Sequence, residues 1–328
     1  MEIKELNQIL GQKDAKEQLQ SALLCNRHVI LIGPPGVGKT TLAKNVAMNL
    51  PEMTLNDCEF HCDPKKPLCP QCISGKTKKT KKFSGVERFI RVQGSPDLTA
   101  EDLLGDIDPI KALQFGPKSI EAFTPGKIFK ANNGILFFDE LNRCPEKIQN
   151  SLLQVLEEGK ATLGGYTMDF PANFIFIGTM NPEETAATEK LADVFMDRFD
   201  SVHVTYPETQ QIEEEVVKTK GLNIAEWPKD MLTLTVAFIR ELRMHKDVMK
   251  KPSVRATLGL YERAQANAKL DGRKKVEPED VAKAVISVLS HRIELKPSIK
   301  YLQTNEDFLR QEFKRFSNEH KLDGGDYL

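Results

Sequence analysis

HVILIGPPGVGKTT, residues His28 to Thr41, holds a strand, a loop and the start of a helix. Val29, Ile30, Leu31 and Ile32 form an unbroken apolar run, the pattern of a strand buried on both faces of a parallel sheet. Gly33, Pro34, Pro35, Gly36, Val37, Gly38, Lys39 and Thr40 then match G-x-x-x-x-G-K-[ST]. Glycines let the backbone wrap a phosphate, and successive N–H groups with the following helix N-terminus supply positive potential. Lys39 is expected to reach the β- and γ-phosphates of a nucleotide such as ATP, and the Thr40 hydroxyl to ligate Mg²⁺. Thr41 continues the cradle into a helix running to Ala47. A plain Gly/Pro turn is the bland alternative, and the flanking strand and helix argue against it.

About a hundred residues on, Ile135-Leu136-Phe137-Phe138 reads as a second buried strand, ending in Asp139-Glu140. Ligands of open α/β sheets gather at the C-terminal strand edge. Asp139 is expected to hold the Mg²⁺ shell, directly or through water, and Glu140 to polarise the attacking water. Phe174 to Asn181 is another buried strand; its Asn181 could orient that water, or simply form a turn before Pro182. Phe89 to Val92 and Val202 to Val204 complete a set of five strands.

The remaining α/β segment is helical or turn-rich. Ala15, Leu19, Ala22 and Leu23 predict a helix over 13–24. Ile9 to Gln12, just before it, could line an adenine pocket or cover a core edge. Ser95 to Leu103 begins a helix with capping residues. The runs 110–114 and 119–123 look like the arms of a hairpin. Pro145 opens a helix with Ile148, Leu152, Val155 and Leu156 on one face, closed by Gly159. Residues 160–170 read as a tight hairpin turning at Gly164-Gly165.

Cys58-x3-Cys62-x6-Cys69-x2-Cys72 interrupts the chain after the first nucleotide-binding helix. Four thiolates so spaced predict a closed, structural tetrahedral site, Zn²⁺ first, with an iron–sulfur cluster or an inert cysteine set as alternatives. The insertion, 51–85, has few apolar residues and is expected to need its metal to fold, so that serine at Cys69 and Cys72 exposes it to protease while basal turnover is spared. Its end, Gly75 to Lys82, carries five lysines. Such a run is a solvated loop or a contact for a phosphate backbone or an acidic partner; the lack of aromatic residues leaves base stacking unsupported, and a folded knuckle would aim the stretch as a partner-docking arm.

Beyond Tyr206-Pro207 helical patterns dominate: 210–220, 230–244, 254–270 and 278–289, the last with Val281, Val285, Val288 and Leu289 on one face. A further helix, 305–316, is led by Thr304 and Asp307 as a capping box. The expected organisation is an α/β domain over 1–206 with the cysteine insertion inside it, an α-helical lid over 207–295, and a helical tail over 296–328. The 328 residues carry a net charge of −1, so no global field draws the chain to nucleic acid or anionic membrane. MEIKELNQILGQ contains no signal-peptide run, and no apolar stretch approaches the roughly 18 residues of a membrane span, so the cytoplasm is the expected compartment.

Six stretches together resemble an AAA+ ATPase, and more closely the MoxR branch, neighbour to the magnesium-chelatase I subunits and the MCM helicases. They are GPPGVGKT (33–40), RVQGSPDLTAEDLLG (91–105), PGKIFKANNGILFFDELNR (125–143), IGTMNP (177–182), MDRFD (196–200) and PSVRA (252–256). DELNR favours MoxR, whereas the cysteine insertion resembles those of chelatase-I-like relatives. The resemblance implies a P-loop core with sheet order 5-1-4-3-2, a helical lid and a ring oligomer, usually a hexamer. It makes Asn181 similar to sensor 1, Arg198 to the arginine finger that enters a neighbour's site, and Arg255 to sensor 2 on the lid. It places a pre-sensor hairpin at Gly164-Gly165 and a helix-2 insert over 108–123. An ordinary ion pair with Asp197 or Asp200 is the bland reading of Arg198, and a helix cap that of Arg255.

The activity so implied is ATP hydrolysis at subunit interfaces that remodels a client protein, plausibly a metalloenzyme or an integrin-like A-domain partner. Alternatives are a chelatase-like motor subunit, an MCM-like DNA motor, and a nucleotide-gated scaffold with little turnover. An intact Glu140 argues against the scaffold; near-neutral charge and the lack of a separate oligonucleotide-binding domain argue against the DNA motor.

Overall fold

A computed structural model describes residues 6–77, 79–116, 119–162, 169–182 and 191–320. The chain separates into two compact units. The first comprises Met1–Ile9, Lys13–Pro34 and Gly38–Val204; the second comprises Leu10–Gln12, Pro35–Val37 and Thr205–Leu328.

The first unit is built on a parallel sheet of β1 (Val29–Ile32), β2 (Phe89–Gln93), β3 (Ile135–Asp139), β4 (Ile175–Met180) and β5 (Asp200–His203). Its spatial order is β5-β1-β4-β3-β2, the 5-1-4-3-2 arrangement expected. Ile135, Leu136, Phe137 and Phe138 are all fully buried, as a central strand covered on both faces requires. Helices α1 (Lys13–Leu24), α2 (Lys39–Met48) and α3 (Glu146–Glu158) accompany the sheet. α1 buries Ala15, Leu19, Ala22 and Leu23, the predicted face. α3 buries Ile148, Leu152 and Val155 and stops at Gly159, whose left-handed backbone ends the helix.

One local expectation is overturned. Residues 110–114 are not a hairpin arm but lie in a helix, Pro109–Phe115. Asp108 accepts from the Ile110 and Lys111 N–H groups, and Pro109 takes the first helical position, where its missing N–H costs nothing. The hairpin arms are Gly105–Ile107 and Phe123–Pro125, flanking that helix. Lys160–Thr162 and Asp169–Pro171 pair antiparallel, as the second hairpin requires. The predicted turn at Gly164-Gly165 lies outside the described residues.

The cysteine insertion is packed into the fold rather than standing apart from it. Met53–Asn56 and Thr80–Phe83 form an antiparallel ladder, so Lys81 and Lys82 of the lysine run lie in a strand. Lys76 pairs with Glu121 and Lys81 with Glu87, each at 3.1 Å. Cys62, Cys69 and Cys72 are buried in the same apolar cluster as Phe129, Leu136 and Phe138, with Phe60 beside them. The insertion borrows the core of the sheet rather than building one of its own.

The second unit is α-helical: α4 (Gln210–Lys220), α5 (Lys229–Met244), α6 (Val254–Leu270), α7 (Pro278–Leu289) and α8 (Asn305–Glu319). Val281, Val285, Val288 and Leu289 are buried as predicted. The Thr304–Asp307 capping box opens α8. Phe308, Leu309, Phe313 and Phe316 of α8 share one core with α5, α6 and α7, so the tail helix belongs to the helical unit. No described helix is long and apolar enough to cross a membrane.

A buried ion pair organises this unit. Glu213, fully buried, accepts from Arg243 Nη1 and Nη2, both at 2.6 Å, and from Thr257 Oγ1 at 2.5 Å. Arg240 adds a longer contact of 3.3 Å. Burial alone would raise the Glu213 pKa, but hydrogen bonds and charge from Arg243, then Thr257 and Arg240, outweigh it and hold the carboxyl below 4.5. A depressed folded pKa contributes stability above the unfolded value that is lost as pH falls through the folded one. Glu213→Gln leaves Arg243 buried without a counter-charge and is expected to cost about 3 kcal/mol or more in denaturant unfolding near neutrality. The gap from wild type should shrink as pH drops below about 4.5. A gap that is absent, or independent of pH, would show that the carboxylate is not what anchors Arg243.

Candidate nucleotide site

Parallel register brings the C-terminal ends of β1, β4, β3 and β2 to one edge: Leu31 lies beside Thr179, Phe138 beside Gly178, and Gln93 beside Asp139. The loop Gly33–Gly38 leaves β1 at that edge. Gly36 and Gly38 have φ of 72° and 100°, a left-handed region that a side chain disfavours. Lys39 Nζ, on the first residue of α2, donates to the Gly33 and Pro34 carbonyls at 2.5 and 2.8 Å. The ammonium therefore lies over the mouth of the loop, where β- and γ-phosphates would sit.

Thr40 Oγ1 is 3.5 Å from Asp139 Oδ2, so the two predicted Mg²⁺ ligands stand side by side although they are 99 residues apart in sequence. Asp139 Oδ1 accepts from the Thr179 hydroxyl at 2.7 Å, and that oxygen accepts the Glu140 N–H at 2.9 Å. Thr179 is almost fully buried and so locks both acids to the end of β4. Glu140 itself has φ 58°, left-handed for a residue with a side chain. Such a conformation costs about 1–3 kcal/mol and persists only where its surroundings over-determine it. Gly94 is one of those surroundings: its N–H donates to the Asp139 carbonyl at 2.7 Å, and a Cβ there would stand 2.0 Å from the Glu140 carbonyl.

The Glu140 carboxylate accepts from Gln93 Nε2 at 2.9 Å and faces Arg143 at 3.4 Å. Arg91 pairs with Asp139 Oδ2 at 2.6 Å. Arg91, Gln93, Arg143 and Thr179 were not singled out from sequence. The signal for the first two is present in the alternation of β2, where polar Arg91 and Gln93 flank apolar Val92. Asn181 follows β4, and its carbonyl accepts from Asn142 Nδ2 at 3.4 Å. Arg198 meets neither Asp197 nor Asp200 as its ion-pair partner; it pairs with Glu157 near the end of α3. Asp200 pairs instead with Arg27 at 3.2 Å. Arg255 is the second residue of α6, in the helical unit.

The four cysteines converge. Sγ atoms of Cys58, Cys62, Cys69 and Cys72 lie within 4.8 Å of one another and could hold a metal ion. Backbone N–H groups of Cys62, Leu68 and Cys69 point at sulfur, at 3.4, 3.3 and 3.4 Å. Hydrogen bonds from Cys62 and then Cys69 bring the Cys58 thiol down to about 2, while the bond with Cys58 raises Cys62 to about 11 and Cys69 also rises. The cluster thus favours a thiolate among neighbouring thiols, the form that binds metal.

Three family models match the chain in succession: magnesium chelatase, subunit ChlI, over residues 5–62; the ATPase family associated with various cellular activities over 69–201; and an AAA lid domain over 241–312. The chain is 28% identical over 352 residues to the magnesium-chelatase subunit ChlI homolog of Methanocaldococcus jannaschii, covering 96% of this chain and 92% of the relative. It is 26% identical over 318 residues to the chaperone MoxR1 of Mycobacterium tuberculosis, covering 88% and 73%. A chain from a cryo-EM-based complex of the magnesium-chelatase subunits BchI and BchD has the same fold, with TM-score 0.51, 23% identity, and coverage of 94% and 100%. A RuvB mutant of Thermotoga maritima is a further fold neighbour, with TM-score 0.51, 17% identity, and coverage of 88% and 74%.

Proposed function

Since the chain belongs to the AAA+ ATPases of the MoxR and chelatase-I type, we propose that it is a ring-forming motor that spends ATP on remodelling a client protein. The observation that carries the catalytic part is the Thr179 hydroxyl, which joins Asp139 and Glu140 at the strand edge while Thr40 faces the same aspartate. Gly33 to Thr41 would cradle the phosphates, and Lys39 would meet the β- and γ-phosphates. Thr40 and Asp139 would hold Mg²⁺, which when bound supplies charge neutralisation on the phosphates. Glu140, with Gln93 holding one of its oxygens, would take the proton of the attacking water, and Asn181 would orient that water. Arg198 is assigned to the site of a neighbouring subunit and Arg255 to nucleotide sensing from the lid. Zinc is assigned to Cys58, Cys62, Cys69 and Cys72, on the closeness of the sulfurs and the N–H groups aimed at them.

The client is proposed to be a metalloenzyme or a protein bearing an integrin-like A domain, as MoxR likeness suggests. Likeness to magnesium-chelatase I subunits supports equally a motor that drives a chelatase-type partner. A pull-down with ATP-trapped Glu140→Gln separates the two by the partner retained. For the ring, ATP turnover per chain should rise with protein concentration as subunits assemble, and should require Mg²⁺. A monomer by light scattering with full turnover at every concentration would refute interface catalysis.

A further inference from the structure

The cysteine cluster is joined to the far end of the sheet from the nucleotide site. Phe60 and His61 lie in the turn between Cys58 and Cys62. The Phe60 carbonyl accepts from Asn132 Nδ2 at 3.2 Å, and the His61 carbonyl from Asn133 Nδ2 at 2.9 Å. These asparagines directly precede Gly134 and the first residue of β3. They also reach the segment that leads into β4: Asn132 Oδ1 accepts from Asn173 N at 2.9 Å, and Asn133 N donates to the Asn173 carbonyl at 2.7 Å. Arg88, buried just before β2, donates to the carbonyls of Asn133 and Pro51. Its own carbonyl accepts from Ile135 N at 2.9 Å. The knuckle turn is therefore bonded to the root of β3 and, through Asn132 and Asn133, to the segments that lead into β2 and β4. The opposite ends of those strands carry Arg91 and Gln93, Asp139 and Glu140, and Thr179 and Asn181.

Two features tie the knuckle turn to its sulfurs. His61 has φ 45°, a left-handed conformation rare for a residue with a side chain, and its N–H donates to the Cys58 carbonyl at 3.1 Å. Cys62 N–H points at Cys58 Sγ in the same turn. Tetrahedral Zn²⁺ with Zn–S near 2.3 Å sets sulfur–sulfur separations of about 3.8 Å, so closing the cluster needs only small shifts and would over-determine the His61 backbone.

We propose that the zinc-bound cysteine knuckle is a clasp on the ATPase unit, through which metal loading orders the roots of the three strands that present the catalytic residues. The proposal rests on the zinc assignment above. Fixing Cys58 and Cys62 fixes the Phe60 and His61 carbonyls, and these fix Asn132 and Asn133. Loss of the metal frees the turn, and the strand roots lose partners that water can then replace.

The test uses the full chain, purified without added metal. Zinc content is measured first, followed by amide hydrogen exchange at Ile135 and Ile175 and ATP turnover. The same readings are made after zinc is stripped by a chelator, after it is restored, and in Cys69→Ser/Cys72→Ser. About one zinc per chain is expected. Stripping should speed exchange at both amides and lower turnover by about tenfold or more, and added zinc should reverse both. Asn132→Ala/Asn133→Ala keeps all four thiolates; it should retain zinc while showing the fast exchange, which keeps the test decisive where the cysteine variant fails to fold. Zinc present, but stripped with no change in exchange or turnover, overturns the clasp and leaves the zinc site standing. No stoichiometric zinc, or iron in its place, overturns the zinc assignment itself.

Discussion

Glu140→Gln should bind ATP as tightly as wild type and lose turnover by about 10²–10⁴, the scale of a positioned general base. The amide keeps the shape of the carboxylate and can still hydrogen-bond Gln93, but it cannot accept the proton of water. Its backbone stays tied to Thr179, so the left-handed turn and the Asp139 position survive. Lys39→Ala is the contrasting case. It removes the charge proposed to meet the β- and γ-phosphates, and ATP binding itself should be lost. Titrating a fluorescent ATP analogue and measuring steady-state phosphate release on both variants separates binding from chemistry. Undiminished hydrolysis by Glu140→Gln would move the base to another residue.

Arg198→Ala is expected to leave ATP binding largely intact and to lower turnover by ~10³ or more, the scale of an arginine finger. Mixing it with Lys39→Ala should restore part of the activity, because one subunit then donates the finger and the other the phosphate loop. The ion pair with Glu157 provides a control. Both partners are about two-fifths exposed, so the pair contributes ~1 kcal/mol at most to stability. Glu157→Gln should therefore fold normally and keep its turnover. If Glu157→Gln were as inactive as Arg198→Ala, the arginine would act through its intrachain pair. No recovery at any mixing ratio, with mixed rings confirmed by mass, would place its action within its own subunit.

Sequence legibility followed the range of the interactions concerned. β1, β3 and β4 were readable because short apolar runs bounded by turn residues suit central strands covered on both faces. The Thr304–Asp307 box and the α7 face were readable because caps and helical spacing are satisfied within a few residues. The stretch 110–114 was misread as strand because its few apolar residues fit either period; Asp108 and Pro109, acting one turn ahead, settle it as helix.

The glycine-rich loop before Lys39, the acids at the end of β3, the cysteine spacing and the division into an α/β and a helical part are all legible in short windows of residues. Each is a local pattern whose chemistry needs those residue types at that separation. What joins them comes from packing. Thr179 becomes the bridge between Asp139 and Glu140 because parallel register sets the end of β4 beside β3. Arg198 takes Glu157 over its neighbours in sequence, and Arg243 closes on Glu213 from 30 residues away. The cysteine insertion, polar enough in sequence to stand apart, is drawn into the core by Phe60 and by the asparagines at the root of β3. Such pairings depend on which strands and helices become neighbours, and that is settled by burial of the whole core rather than by any short window of residues.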